Sequence, residues 1–306
     1  MNNQYCLPLG DPHLRAEVRR TWLRNSSAGQ NIEVSLPDGS THILNGLLSQ
    51  ANHKQAKGIG FLSVGLTLTP RSTGRAGRSL CLFATPGCAA ACFADYDRLA
   101  WPKNKRVAVA RTRLLAYSPE QFLALLMADL ARQRTRAERL GVQLVCRLNV
   151  VSDVPLEREF PSLFASYPDV QFMDYTKDVR RLLNLERPTN YHLTFSRSEC
   201  NESDCLRVLE AGHNVTVVFR KSPFPPTCWG YPVIDGDGSD LRFLDPSPCI
   251  VGLKAKGKGA REDRTGFVLD AASLPQPSIK YRPPSSLPHD RGSFVLTLPA
   301  KREVTA

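Results

Sequence analysis

The sequence predicts an α/β protein built on a (β/α) barrel, complete or else partial and irregular, with a doubly wound open sheet as the alternative. Three observations predict this fold. Apolar runs of strand length are continuous rather than alternating, as expected for strands buried on both faces. Segments long enough for a crossover helix separate the first of these runs. No glycine-rich nucleotide-binding motif follows any run, which disfavours a nucleotide-binding open sheet.

Composition divides the chain of 306 residues into three regions. Residues 1–58 are polar and irregular, and we expect an accessory segment there with one strand pair around the turn at 37–39. Residues 59–270 alternate apolar runs with helical stretches and form the barrel-like domain. Residues 271–306 are rich in proline and end in basic residues, so they predict an extended or loosely attached tail.

Seven apolar runs in the middle region are predicted to be parallel strands. They span residues 60–69, 143–151, 170–175, 191–195, 215–219, 232–235 and 249–253. Crossover helices are expected within 154–167 and 198–212, which carry helical patterns of apolar residues. The last two connections are short and rich in proline and glycine, which favours connections without helices.

One long helix is predicted between the first two strands. Ser118 is placed as its N-cap, Gln121 as the second member of a capping box, and Gly141 as its stop. The apolar face of this helix consists of Phe122, Leu125, Leu126 and Leu130. Their spacing is that of a helix packed against a core.

Polar residues follow nearly every predicted strand, and the carboxyl ends of barrel strands are where active sites lie. A structural explanation is that strand-to-helix loops are polar in any case and that some of these residues cap helices. The predicted catalytic residues are Asp174, Lys177, Arg220 and Asp235. The predicted substrate-binding residues are Asn149, Asp153, Ser196, Arg197, Asp237 and Lys254. We expect Asp174, Asp235 and Lys177 to line one pocket with Arg220, with at least one of Cys81, Cys88 and Cys92 at its rim. There a carboxylate and the ammonium would act as acid and base.

Three cysteines fall close together in the stretch LCLFATPGCAAACFADYD. Cys88 and Cys92 are four positions apart, so in one helix they would project from the same face, with Cys81 one loop earlier. They are predicted metal ligands, either for an iron–sulfur cluster or for zinc. Zinc would take a fourth ligand from Cys228, Cys249 or His192. The alternative is that the cysteines are small buried apolar residues.

The charge balance points to a polyanion as the first partner to test. The chain has 40 Lys and Arg against 29 Asp and Glu, a net charge of +11. Such an excess attracts nucleic acid over long range, although an ordinary basic protein with solvated helix faces has the same composition. The predicted nucleic-acid-binding residues are Arg71, Arg75, Arg78, Lys256 and Lys258.

The cellular setting follows from hydropathy and cysteine content. The first residues carry several charges and no apolar stretch of a signal peptide, and no run of about 18 apolar residues occurs. We therefore expect a soluble, cytoplasmic protein that does not enter a membrane. In that compartment its nine cysteines are read as thiols or metal ligands rather than disulfides.

Several strand-end motifs occur together in one order: RLNVVSDV, VQFMDYTKD, NYHLTFSRSE, VIDGDGSDLRFLD and IVGLKAKGKG. With CLFATPGCAAACF, they resemble a family of phage- and plasmid-encoded proteins, the gene-product-eighty-eight-like group, over roughly residues 60–270. The resemblance carries no established activity. It implies a mobile-element protein whose substrate or partner is nucleic acid or a nucleotide-derived metabolite.

The cysteine segment also resembles the cluster loop of radical S-adenosylmethionine enzymes. In those enzymes three cysteines bind a [4Fe–4S] cluster and leave one iron open for the cofactor. The spacing here is C-x6-C-x3-C instead of C-x3-C-x2-C, and the glycine-rich cofactor segment is not evident. Two hypotheses result: a barrel enzyme with a cluster or zinc that acts on a nucleotide or nucleic acid, or a non-catalytic or replication-associated nucleic-acid-binding protein.

Overall fold

The structure is a computed structural model that describes residues 31–50, 60–70, 79–183 and 186–271. Within these ranges the chain forms a mixed α/β structure with a nine-stranded, mostly parallel sheet flanked by helices. The predicted C-terminal tail lies outside the described residues, as do the first thirty positions of the N-terminal accessory segment. None of the described helices is long and apolar enough to cross a membrane.

The seven predicted parallel strands are confirmed as β4 to β8, β10 and β11. The strands of the described ranges are β1 (Ile32–Ser35), β2 (Thr41–Leu44), β3 (Leu48–Gln50), β4 (Phe61–Leu66), β5 (Gln143–Arg147), β6 (Gln171–Thr176), β7 (Tyr191–Ser196), β8 (Val215–Phe219), β9 (Thr227–Cys228), β10 (Tyr231–Asp235) and β11 (Ile250–Lys254). The predicted N-terminal strand pair is confirmed as the antiparallel hairpin β1–β2. The short edge strands β3 and β9 were not predicted.

The helices lie in the connections between the parallel strands, except for the last one, which follows β11. They are α1 (Pro86–Ala90), α2 (Pro102–Tyr117), α3 (Pro119–Leu140), α4 (Leu156–Glu159), α5 (Pro161–Ser166), α6 (Val179–Leu183), α7 (Glu202–Glu210) and α8 (Gly257–Arg261). Helix α3 confirms the predicted long helix, and Gly141 caps its end in the left-handed conformation. The predicted capping box is wrong. The Ser118 side chain makes no cap hydrogen bond, because this residue already ends α2 by donating its backbone N–H to the Leu114 carbonyl.

The sheet has an open strand order. It runs β3-β4-β5-β6-β7-β8-β11-β10-β9, so the described strands leave β3 and β9 as its two edges and a closed barrel is not confirmed. From β4 to β8 each strand lies beside the one before it in sequence, which is the order found in a barrel. Right-handed crossovers that all step the same way place their helices on one face of the sheet.

The two faces of the sheet are therefore covered differently. Leu144 and Cys146 of β5 belong to the main core, which also contains the apolar side chains of α3 and α7. Val145 lies between them and points to the other face, where it packs with Met173 of β6 in a separate cluster. We call these the helical face and the second face.

A reversal of strand order explains what covers the second face. β10 lies beyond β11, so the chain must step backwards from β10 to β11, and a right-handed connection then crosses the opposite face. That connection, residues 236–249, packs Leu241 against Val145 and Met173. Its Phe243 ring lies 5.5 Å from the ring of Phe61. A loop rather than a helix thus covers the part of the second face around Val145 and Met173.

Candidate functional site

Asp174 lies at the end of β6 and is buried on the helical face, where it is surrounded by hydrogen-bond donors. Its Oδ1 accepts from the Asn149 backbone N–H at 2.7 Å, and its Oδ2 accepts from the Tyr191 hydroxyl at 2.7 Å. The Arg147 Nε lies 4.0 Å from Oδ1. Burial raises the pKa of Asp174 to about 6 even though these groups lower it. The carboxylate holds three strand ends together instead of facing a mouth.

The Asn149 side chain, in the loop after β5, is also engaged in hydrogen bonds within the protein. Its Oδ1 accepts from the Ser152 hydroxyl and from the Val154 backbone N–H, both at 2.8 Å. Its Nδ2 donates to the Val154 carbonyl at 3.0 Å and to Asp174 at 3.2 Å. With its side-chain polar groups engaged, this predicted substrate-binding residue shapes the loop after β5.

A buried guanidinium links this region to Lys177. Arg181 of α6 donates to both carboxylate oxygens of Glu157, at 2.7 and 2.8 Å, and to Asp153 Oδ1 at 2.6 Å. It also donates to the Tyr191 hydroxyl at 3.0 Å. The other oxygen of Asp153 accepts the Lys177 backbone N–H at 2.9 Å. Asp153 therefore positions Lys177, since its carboxylate is fixed by charge-assisted bonds on one side.

Lys177 presents its ammonium at the carboxyl end of the second face. Its Nζ donates to the Ser196 hydroxyl at 2.8 Å and lies 5.8 Å from the centre of the Phe267 ring. Ser196 ends β7 and is paired in register with Thr216 of β8. Both side chains point away from the helical face, because Phe195 and Val215 beside them belong to the main core.

Cys81 lies against the loop that follows β5. Its Sγ donates to the Val151 carbonyl at 3.5 Å, in the loop after β5. Burial raises the pKa of the Cys81 thiol to about 12, with a further increase from Asp153, whereas Lys177 lowers it. The charges of Cys88 and Cys92 act on this thiol as well. Asp153, Lys177, Cys88 and Cys92 thus all influence the pKa of the Cys81 thiol.

The predicted single helix carrying Cys88 and Cys92 is wrong. Helix α1 ends at Ala90, and Cys92 follows it in an extended conformation before the 3-10 turn Phe93–Asp95. Cys88 packs instead against the small cluster that contains Phe267. Among the residues that the structure describes, no three His, Cys, Asp or Glu side chains are arranged to hold a metal. The cluster and zinc ligands remain a prediction.

Glu199, which the sequence analysis did not single out, docks the cysteine segment onto the sheet. Its carboxylate accepts from the Gly87 backbone N–H at 2.7 Å and from the Thr85 hydroxyl at 2.6 Å. A Cβ on Gly87 would lie 2.1 Å from Thr265 Oγ1 and 2.7 Å from Phe267 Cβ. Only glycine allows α1 to approach this closely.

Arg220 and Arg197 fasten the segment that follows α8. Arg220 forms an ion pair with Asp270 at 3.0 Å and donates to the carbonyls of Arg261 and Asp263, both at 2.9 Å. Arg197 donates to two carbonyls of that segment, those of Gly266 and Phe267. The contacts of Arg220 lie along this segment, and its grouping with Lys177 in one pocket stays a prediction.

The acidic turn after β10 is also separate from Lys177 in its contacts. Asp235 is exposed and accepts the Asp237 backbone N–H at 2.7 Å. Asp237 accepts the Lys254 backbone N–H at 2.9 Å and forms an ion pair with Lys256. Lys254 and Lys258 are exposed. The predicted nucleic-acid contacts Arg71, Arg75 and Arg78 lie outside the described residues.

The second face holds polar residues that the sequence analysis missed. The Arg147 guanidinium lies 4.8 Å from the centre of the Tyr175 ring. Burial raises the pKa of Tyr175 to about 12, although Arg242 and Arg147 lower it. Arg242, in the 3-10 turn Arg242–Leu244, is buried, as is Thr216. The available signal was a charged or hydroxyl residue inside an apolar run, as in QLVCRLNVV and VTVVF.

The raised pKa of Asp174 gives the protein a specific pH dependence. The folded state keeps this proton up to about pH 6, whereas the unfolded chain loses it near its ordinary value of 3.8. The wild type should therefore lose about 3 kcal/mol of unfolding free energy relative to Asp174→Asn as the pH rises from about 4 to about 6. Urea unfolding of both proteins at a series of pH values measures this difference. A constant difference, or one of opposite sign, would show that the donors outweigh burial.

Comparisons with known proteins identify the family. The family model described as Gene product 88 matches residues 45–271, well over half of the chain. No curated protein and no solved structure matches the chain. The resemblance of the cysteine segment to radical S-adenosylmethionine enzymes remains a prediction. The match confirms the resemblance of the strand-end motifs, and the chain belongs to the Gene product 88 family.

Proposed function

We propose that this protein is a mobile-element enzyme that acts on a nucleotide, or on a nucleotide unit of nucleic acid, at the carboxyl end of the second face. The observation that carries the proposal is the Lys177 ammonium, held 2.8 Å from the Ser196 hydroxyl, where its charge opposes the burial that raises the pKa of the Cys81 thiol to about 12. A cation, a hydroxyl and a thiol at one strand-end position are suited to proton transfer and to the stabilisation of developing negative charge.

The fold supports this location. Strands β4 to β8 follow one another in sequence order, and their crossovers place the helices on one face, as on the outside of a barrel. The second face then corresponds to the inside of a partial barrel. Barrel enzymes bind substrates at the carboxyl end of that interior, where Lys177, Ser196 and Thr216 lie.

The buried network around Lys177 favours an enzyme over a passive binding protein. A surface that only binds phosphates needs exposed cations, whereas Lys177 has its backbone fixed by Asp153 and its ammonium fixed by Ser196. Positioning of this kind is what catalysis requires of a charged group. Asp174 is assigned a positioning role, because its oxygens are occupied by Asn149 and Tyr191.

The proposal retains a thiolate-bound iron–sulfur cluster, with S-adenosylmethionine, or zinc as the cofactor. The ligands would be Cys81, Cys88 and Cys92, and the last two raise the pKa of the Cys81 thiol. Their present arrangement does not fit a metal, so ligation requires a rearrangement of the segment between Cys81 and Cys92. The assignment of Lys177 and Ser196 does not depend on that cofactor.

Removal of the Lys177 ammonium tests the enzyme directly. Wild-type protein should convert at least one member of a panel of nucleoside phosphates and short oligonucleotides, followed by mass spectrometry, with iron and sulfide, S-adenosylmethionine or zinc supplied. Lys177→Met should lower that rate by roughly 100-fold or more, as for a lost acid–base group. Lys105→Met, which removes an exposed lysine of α2, should leave it unchanged. Equal rates for wild type and Lys177→Met, or no conversion by wild type, would contradict the proposal.

Metal analysis tests the cysteines independently of turnover. Protein purified without oxygen should contain stoichiometric zinc, or iron with acid-labile sulfide and visible charge-transfer absorption. Serine in place of Cys81, Cys88 or Cys92 should abolish the metal in each case. Cys200→Ser, at an exposed thiol, is the matched control and should retain it. A folded wild-type protein without metal, both as purified and after reconstitution, would remove the cofactor from the proposal.

The second candidate function is non-catalytic or replication-associated nucleic-acid binding, favoured by the exposed Lys254 and Lys258 next to α8. If these side chains contact phosphates, affinity for single-stranded DNA should fall linearly on a log–log plot against salt. The double variant Lys254→Gln with Lys258→Gln should reduce the magnitude of the slope by roughly 1.4, about 0.7 for each phosphate that is no longer neutralised. Arg139→Gln on α3 removes an exposed charge elsewhere and should leave the slope unchanged. A wild-type slope near zero would contradict phosphate binding.

A further inference from the structure

Buried polar atoms without hydrogen-bond partners accumulate on the second face. Among the described residues, no partner is found for Arg147 Nε, for Arg242 Nε and Nη1, or for Thr216 Oγ1. Arg242 is 2% exposed and Thr216 is 4% exposed. Ser63 of β4, which points to the same face, has an unpartnered hydroxyl as well. Native proteins satisfy nearly all such groups, because a buried donor without an acceptor loses its hydrogen bonds to water and gains none in return.

The two arginines interact with one side chain, Tyr175. The Arg147 guanidinium stacks on its ring at 4.8 Å, and the charges of both Arg147 and Arg242 act on its hydroxyl. Tyr175 is paired in register with Thr194 of β7, and Ser196, two residues further along that strand, is paired with Thr216. The side chains of Tyr175, Ser196 and Thr216 therefore share one face over three neighbouring strands.

A ligand that accepts hydrogen bonds would satisfy the unpartnered atoms. The three guanidinium nitrogens can only donate, and each hydroxyl can donate one hydrogen. Asp245 Oδ2 lies 3.1 Å from Arg242 Nη1 but outside hydrogen-bond geometry, and it has no other partner among the described residues. Asp245 and Asp240 also act on Tyr175, so the carboxylates offset part of the positive charge without using these donors. A planar guanidinium matches the paired oxygens of a phosphate or a carboxylate.

We propose that Arg147 and Arg242 bind an oxyanion of the substrate, a phosphate or a carboxylate, beside Tyr175, with the Thr216 hydroxyl as a further donor. This inference rests on the proposed function, because the anion is the part of the substrate that lies on the second face below Lys177. Ser196 connects the two places, since it accepts from Lys177 and is paired with Thr216. The loop that carries Arg242 covers the anion from the side opposite the sheet.

Calorimetric titration of the full chain tests the site without any need for turnover. The probes are inorganic phosphate, pyrophosphate, a nucleoside 5′-monophosphate, the same nucleoside without phosphate, and citrate. We expect the monophosphate to bind at least roughly tenfold more tightly than the nucleoside, and Arg147→Gln or Arg242→Gln to weaken phosphate binding by a similar factor. Arg139→Gln, at an exposed position of α3, is the control for lost charge and should bind as wild type does. Tighter binding of citrate than of the phosphates would identify a carboxylate as the ligand.

Thr216→Val provides a second variant in case an arginine variant fails to fold. Because the Thr216 hydroxyl has no partner in the ligand-free protein, its removal should leave the melting temperature unchanged or higher, while phosphate affinity falls several-fold. A lower melting temperature with unchanged affinity would overturn the inference, as would a wild-type protein that binds none of the anions at millimolar concentration. Turnover measurements separate the two proposals. If the wild type binds the anions but shows no turnover, the proposed function alone is contradicted. If the wild type shows turnover and both arginine variants turn over at the same rate, this inference alone is contradicted.

Discussion

The buried guanidinium of Arg181 is the interaction on which the candidate site depends. It carries a full charge into a region with little water, where two carboxylates, a phenol and the Thr176 hydroxyl offset the cost of desolvation. Through Asp153 it fixes the backbone of Lys177, and through Tyr191 it reaches Asp174. The loops after β5 and β6 and the strand β7 are thus held by a single side chain. A lysine could not replace it, because the fork of the guanidinium contacts Glu157 with two nitrogens while a third bond reaches Asp153.

The second constraint is topological. Crossovers that step in one direction place their helices on the helical face, and the reversal between β10 and β11 brings residues 236–249 across the second face. The apolar part of this connection, Leu241 and Phe243, seals one end of the face against Val145 and Phe61. Its buried arginine lies where the strands carry hydroxyl and guanidinium groups. The second face therefore has an apolar part and a polar part, and the polar part lies toward the carboxyl ends of the strands.

The strands could be predicted because burial on both faces makes them continuous apolar runs. The order of the strands in the sheet could not be predicted. Nothing in the sequence indicates that β11 lies between β8 and β10, instead of following β10 at the edge of the sheet. The roles of the residues at the strand ends could not be predicted from the pattern of polar and apolar residues either. A carboxylate such as Asp174 looks the same in sequence whether it faces a substrate or accepts bonds from its neighbours. The alternation of side chains along β6 decides which face each residue lies on. Asp174 shares the helical face with Phe172, whereas Tyr175 shares the second face with Met173. The helix through Cys92 failed because α1 stops at Ala90, after only five residues.

The central claim is that the carboxyl end of the second face is the active site of this family member. A crystal structure of the protein with a bound nucleoside 5′-monophosphate tests it most directly, because difference density locates the ligand without any assumption about the reaction. The account predicts density on the second face, with the phosphate between Arg147 and Arg242 and the remainder of the ligand reaching toward Lys177 and Ser196. Density on the helical face, or only among the exposed lysines beside α8, would contradict it.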